Sequence, residues 1–227
     1  WASVQLYQHA LAGSDRRPIV FRPYRGLLAF EDRHARFFYG RDPERDEIIA
    51  DLEALRLAGR PRFMVVAGAS GTGKSSVVLA GVLPALIARG WTSAVIRPGD
   101  APATALAQAL ARRSADRQFL LVVDQFEEVF THGAPAAATA FASELWALAR
   151  RDKVAVIVTI RVDFLGRCGE LTLDETRTRL DQVAYDEAHR TFVARMPTPR
   201  LAEAITRPAE GVKPWHAYRP IFMTEER

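Results

Sequence analysis

The stretch RFMVVAGASGTGKSS, residues 62–76, decides the fold. Its first half, Phe63 to Ala67, is apolar without a break, the pattern of a strand buried on both faces. Its second half fits G-x-x-x-x-G-K-[ST] at every fixed position, through Gly68, Gly73, Lys74 and Ser75. An apolar helical run, GKSSVVLAGVLPALIAR, leaves the turn, so the strand–turn–helix context is complete. Each residue type has a chemical reason. Glycines, Gly71 among them, let backbone N–H groups turn inward around phosphate oxygens without Cβ clashes. Ser70, Thr72 and Ser76 belong to the same cradle. The helix N-terminus adds positive potential. The chain has only three lysines, Lys74, Lys153 and Lys213, and one stands in this turn. Lys74 is expected to hold the β- and γ-phosphates of a nucleotide, and Ser75 to offer its hydroxyl to Mg²⁺. The competing reading is a glycine turn with an incidental lysine.

Working outward, apolar strands alternate with helices. YGRDPERDEIIADLEAL predicts a helix capped by Asp42, with Pro43 in its first turn, Ile48, Ile49, Leu52 and Leu55 on its apolar face, and GRP at 59–61 as its stop. Pro84 is expected to kink or split the helix after the glycine turn. SAVIR, FLLVVD and VAVIVTI read as strands, TFVAR as a last strand, and ATALAQALARR and AATAFASELWALARR as helices. Continuous apolar strands between helices predict an α/β fold with a parallel sheet covered on both faces. Residues 1–22 read as a linker or the tail of a neighbouring domain, 23–195 as the nucleotide-binding domain, and 196–227 as the start of a small helical subdomain, cut short. The chain begins at Trp1 rather than Met, which fits a fragment.

Two further strand ends carry chemistry. FLLVVDQFEEVF closes a buried strand on Asp124. Alone, such an aspartate could simply begin a turn; downstream of a phosphate loop it is expected to hold Mg²⁺, and a later carboxylate to orient or deprotonate the attacking water. The next residue, Gln125, is an amide and cannot act as a base. The candidates are Glu127 and Glu128, with Glu127 favoured. VAVIVTIRVDFLGRC puts Thr159 and Arg161 on one strand face. Arg161 can reach a γ-phosphate and report it; its competing role is a strand-end salt bridge to Asp163 or Glu170. Arg167 is a second candidate.

Composition narrows the rest. The chain is 48% hydrophobic and 26% charged, ordinary for a globular protein. No stretch approaches the roughly 20 apolar residues that span a bilayer, so no membrane partner is expected. The net charge of +4 is dispersed, with acids beside the arginines, and does not form the basic stripe of a nucleic-acid face. Cys168 is the only cysteine, which fits a reducing, cytoplasmic setting. The five histidines, at 9, 34, 132, 189 and 216, have no metal-binding spacing and read as surface or packing residues. No N/T-K-x-D string selects guanine, and no G-x-S-x-G nucleophile is present.

The strings PYRGLLAFEDRHARFFYGR, VVAGASGTGKSSVVLAGVLPAL, LLVVDQFEEVFT, VIVTIRVDFLGRC and ARMPTPRLAEAITRPAEG together resemble the STAND class of P-loop NTPases, relatives of the AAA+ ATPases, and most of all the bacterial novel STAND group. The resemblance implies a three-layer P-loop NTPase sandwich with five parallel strands, the Arg161 strand lying between those of Lys74 and Asp124. It implies Gly40 and Arg41 near the adenine and ribose, and Pro197 at the start of a helical lid subdomain. It implies an ATP/ADP switch: ADP holds a closed monomer, and ATP exchange permits self-association and drives an effector domain under a sensor domain, in bacterial defence or signalling. Two other functions fit the residues: a constitutively cycling AAA+-like motor or loader, and a scaffold that binds nucleotide without hydrolysis.

Overall fold

The computed structural model describes residues 29–132 and 134–210. The predicted linker at 1–22 and the tail at 211–227 lie outside them.

The sheet has five strands, all parallel: β1 (Phe63–Gly68), β2 (Thr92–Ile96), β3 (Phe119–Val123), β4 (Val154–Arg161) and β5 (Arg190–Phe192), in the order β2-β3-β4-β1-β5. The apolar runs have a simple cause: both faces are covered. Phe63, Val65, Leu121, Val123, Val156 and Val158 enter one core, packed by Phe141, Leu145 and Trp146 of the helix α5 (Pro135–Ala149). Met64, Val66, Leu120, Val122 and Ile157 enter the other. That second core is closed by Ile48, Ile49, Leu52 and Leu55 of α1 (Asp42–Leu57) and by the helix that follows the glycine turn. Every side chain of β1 and β3 is buried.

The helix after the turn continues through Pro84 in three segments: α2 (Lys74–Ser76), a π-helical stretch (Val77–Val82) and α3 (Leu83–Ile87). Proline has no N–H for the ladder and its ring crowds the carbonyl four residues back. The helix responds by widening: the Leu83 N–H bonds to the Val78 carbonyl, five residues back. The predicted split is therefore a change of register inside a continuous helix. The cap of α1 differs from expectation too. Asp42 is the first residue of the helix and makes no cap; its carboxylate accepts from Arg45 Nη1 at 2.6 Å. The non-helical flank is Arg41, because the chain enters through Gly40 at φ +82° and the Arg41 side chain is anchored elsewhere. The last strand is shorter than TFVAR suggests, though Val193 N–H still bonds the Ala67 carbonyl at 2.8 Å.

Other elements are α4 (Pro102–Leu110), α6 (Leu180–Tyr185), α7 (Thr198–Glu210) and several 3₁₀ turns, of which Phe126–Phe130 and Val162–Glu170 follow β3 and β4. His189 is buried, with Nδ1 2.7 Å from the Phe63 carbonyl, and Cys168 is buried with its thiol pushed up to about 12 by desolvation. Both are packing residues, the role the sequence reading allowed for the histidines.

The sheet order positions the site. In a parallel sheet all carboxyl ends lie on one edge, and crevices outside that edge take ligands. Because β4 lies between β1 and β3, Gly68 pairs in register with Arg161, and Val123, one residue before Asp124, pairs with Val158. Three distant sequence segments thus end side by side.

Candidate functional site

The turn between β1 and α2 is shaped by its glycines. Gly71 and Gly73 have φ of +77° and +94°, a left-handed conformation that side chains disfavour. Gly68 needs its hydrogen for another reason: a Cβ there would lie 2.5 Å from the Val193 carbonyl oxygen and 2.8 Å from Thr72 Oγ1. Thr72 Oγ1 donates to the Ala69 carbonyl and braces the turn from within. Ser70 and Gly71 face outward.

Lys74 is only 8% exposed. Its Nζ donates to the Ala69 carbonyl at 3.0 Å, which uses one of the ammonium's three donors. Burial pushes its pKa down, and Glu127 is the strongest nearby charge pulling it back up. A buried cation with spare donors, at a helix start behind a glycine turn, is suited to an anion. Ser75 Oγ donates to Asp124 Oδ1 at 2.5 Å, and Thr159 Oγ1 donates to the same oxygen at 2.8 Å. Asp124 is 1% exposed. The Ser75 hydroxyl and the Asp124 carboxylate are hard oxygen donors, the kind that suits Mg²⁺ held partly by substrate phosphates. No group of three or more His, Cys, Asp or Glu among the described residues offers a metal cage of its own. The hydroxyl and carboxylate pair fits a metal whose other ligands are phosphate oxygens and water. Ser76 is used differently from its neighbours: its Oγ accepts the Phe30 N–H at 3.1 Å, tying the helix to the entry segment.

The turn after β3 separates the two candidate glutamates. Gln125 sits at φ +59°, ψ +50°, a left-handed conformation rare for a residue with a side chain. Its N–H bonds Thr159 Oγ1 at 3.0 Å, which holds the turn in place. Glu127 then faces β4: its Oε2 accepts the Arg161 N–H at 3.3 Å, and its charge acts on Lys74. Glu128 faces the other way and accepts the Gly99 N–H at 3.0 Å. Glu127 is thus the carboxylate beside the glycine turn and Lys74.

Arg161 takes the alternative partner weighed from the sequence. Its Nε and Nη2 donate to Asp163 at 3.1 and 2.6 Å, and its guanidinium lies over the Phe164 ring at 5.5 Å. Glu170 is instead paired with Arg167, whose guanidinium covers the Phe130 ring at 4.7 Å. Asp124 also has a partner that sequence reading missed. Arg97, one residue past β2, donates to Asp124 Oδ2 through Nη2 at 3.1 Å and Nε at 3.3 Å. The available signal was its position: it ends a strand of the same parallel sheet, as do Asp124 and Arg161.

The entry residues are placed close to the turn. Arg41 is 4% exposed and donates to Glu44 at 2.6 Å, to the Thr72 carbonyl at 2.8 Å and to the Ala194 carbonyl at 2.8 Å. Glu44 also receives Arg200 of α7 at 3.3 Å. A Cβ on Gly40 would lie 2.7 Å from the Arg200 carbonyl oxygen. The side chain that the resemblance sends towards a ribose is here bound to protein, and it clamps the phosphate turn to the segment that starts α7. Pro197 stands one residue before that helix, and its carbonyl accepts the Leu201 N–H. Arg41→Ala would leave the Thr72 and Ala194 carbonyls without this donor. It is expected to lower folding stability by about 1–3 kcal/mol in urea titration, and Arg41→Lys should not restore it, since one ammonium cannot span the three acceptors.

A cavity of about 280 Å³, lined by Gly59, Arg60, Trp146 and Asp174 among others, opens at the opposite edge of the sheet. Asp174 is already satisfied by Thr176, Thr178 and Trp146 Nε1, and Arg60 is paired with Asp186. The chemistry gathers at the carboxyl edge.

The family described as Novel STAND NTPase 1 matches residues 23–215. The chain belongs to this family. It is an NTPase of the STAND type, and its five-stranded parallel sheet with helices on both sides is the α/β architecture of a P-loop NTPase. No curated protein matches the chain. Among the described residues of this STAND NTPase, no helix is long and apolar enough to cross a membrane.

Proposed function

We propose that this chain is an ATP-binding, slowly hydrolysing regulatory switch. The observation that carries the reading is the meeting of Lys74, Ser75, Asp124, Glu127 and Arg161 at the carboxyl ends of β1, β3 and β4. The glycine turn wraps the β- and γ-phosphates with backbone N–H groups, and Lys74 supplies their counter-charge from a buried position. Ser75 and Asp124 would hold Mg²⁺, which neutralises phosphate charge when bound. Glu127 orients a water and accepts its proton as the water oxygen bonds to the γ-phosphorus and the bond to the β–γ bridging oxygen breaks. Lys74 and the turn amides stabilise the charge that collects on the leaving diphosphate.

The way the acids are held supports the reading of slow turnover. Asp124 is paired with Arg97, Glu128 with Gly99, and Glu127 with the Arg161 backbone. Arg161 rests on Asp163 and Phe164. A γ-phosphate beside β4 would draw the guanidinium off this exposed pair, which gives ATP and ADP different partners. The clamp from the phosphate turn through Arg41 and Glu44 to Arg200 supplies a route from that difference to α7. On this reading ADP keeps the chain closed and monomeric, and ATP permits self-association that engages an effector under a sensor's control, in bacterial signalling or defence.

Native mass measured with ADP and with a non-hydrolysable ATP analogue tests the switch. A larger species only with the analogue is expected; the same mass with both contradicts it. Arg161→Ala is expected to weaken ATP about tenfold relative to ADP, the loss of one charge-assisted contact to a γ-phosphate. Equal losses for both nucleotides in calorimetric titration would remove the sensor role.

A further inference from the structure

Asp124 is held unequally on its two oxygens. Oδ1 takes the Ser75 and Thr159 hydroxyls, both from packed elements. Oδ2 takes Arg97, whose side chain is 57% exposed, against 1% for Asp124. A buried carboxylate left without a counter-charge is costly, whereas a half-exposed guanidinium returns to water with little loss. Arg97 is therefore the partner that can leave. It stands at the start of the turn Arg97-Pro98-Gly99-Asp100, where Gly99 has φ +51° and donates its N–H to Glu128. The turn is thus tied to the Asp124 segment at two points, by Arg97 on Asp124 and by Gly99 on Glu128.

We propose that Arg97 is the internal counter-charge of the metal position: it occupies Asp124 while no cation is bound, and a divalent cation arriving with nucleotide at Ser75 and Asp124 must compete with it. This rests on the nucleotide-site reading above. Arg97 is a positioning residue, acting through Asp124 and not on the phosphates. Release of Arg97 frees one of the two ties on the 97–100 turn. The other runs through Glu128 into the 3₁₀ turn that carries Glu127, so cation occupancy is transmitted to the carboxylate beside the substrate.

The test uses Mn²⁺, titrated into the ADP-bound protein and followed by electron paramagnetic resonance of the free ion. ADP affinity is measured separately in EDTA. Arg97→Ala is expected to tighten Mn²⁺ about five- to tenfold, and Arg97→Lys to stay near wild type, while ADP affinity in EDTA stays within about twofold for all three. Tightening has the opposite sign to the loss that a damaged site would give. Unchanged or weaker Mn²⁺ binding in Arg97→Ala, with ADP binding in EDTA intact, overturns the proposal and leaves the nucleotide site standing. Failure of ADP to bind the wild type both in EDTA and with Mn²⁺ present overturns both.

Discussion

Glu127→Gln is expected to slow single-turnover ATP hydrolysis by about 10²- to 10⁴-fold, the range that a positioned general base contributes, with nucleotide affinity kept within a few-fold. The substitution retains the shape of the side chain and an oxygen that can accept the Arg161 N–H, so the turn after β3 should not move. What it removes is the proton acceptor. Glu128→Gln is the matched control. Its carboxylate faces Gly99 and the end of β2, away from Lys74 and Arg161, so hydrolysis should stay within about threefold of wild type. Quenched-flow measurement with excess protein isolates the chemical step from product release. The reverse pattern, a large loss in Glu128→Gln and none in Glu127→Gln, would move the base to the other glutamate. Normal rates in both would take water activation away from this turn.

Lys74→Ala is expected to weaken ATP and ADP by about 10²- to 10³-fold or more, through the loss of two or more charge-assisted hydrogen bonds to phosphate oxygens. Stability should respond differently. Lys74 is buried, its pKa is lowered by desolvation, and its bond in the free protein is to one carbonyl. Removing it should leave melting of the nucleotide-free protein nearly unchanged. Protection against melting by added nucleotide should vanish. The sign of the pH effect follows. Phosphate raises the Lys74 pKa above its depressed value in the free protein. Affinity should therefore be full below the free-protein pKa and fall as pH rises through the interval between the free and bound values. Unchanged affinity in Lys74→Ala would mean that the glycine turn holds something other than a nucleotide's phosphates.

The glycine turn was legible because it depends on local geometry: a buried strand, glycines at fixed offsets, and a helix start. The sheet was legible as parallel because β1, β3 and most of β4 are apolar on both faces. Strand order was not legible from periodicity. That β4 separates β1 from β3 came from family resemblance, and it is what brings Thr159 to Asp124. Side chains with remote partners were the least legible. Arg41 bonds the Thr72 carbonyl 31 residues on and the Ala194 carbonyl 153 residues on, and no local pattern encodes that. Arg97 reads in sequence as one of many arginines; only the placement of β2 beside β3 brings it to Asp124. Glu127 and Glu128 are adjacent in sequence, and the left-handed turn at Gln125 precedes the 3₁₀ turn in which they diverge. The cap at Asp42 gave way to the tertiary anchoring of Arg41, and the helix runs on unbroken past Pro84, with a local change of register, where Leu79, Val82 and Leu83 are buried.

On the proposed reading the turn from Gly68 to Ser75 holds a nucleotide, and the resting state is the ADP form. The direct measurement is to denature the purified protein, identify the released nucleotide by chromatography, and quantify it against protein. ADP in near-stoichiometric amount is expected in wild type and none in Lys74→Ala. A wild-type site that is empty as purified and takes up neither ADP nor ATP when they are added would contradict it.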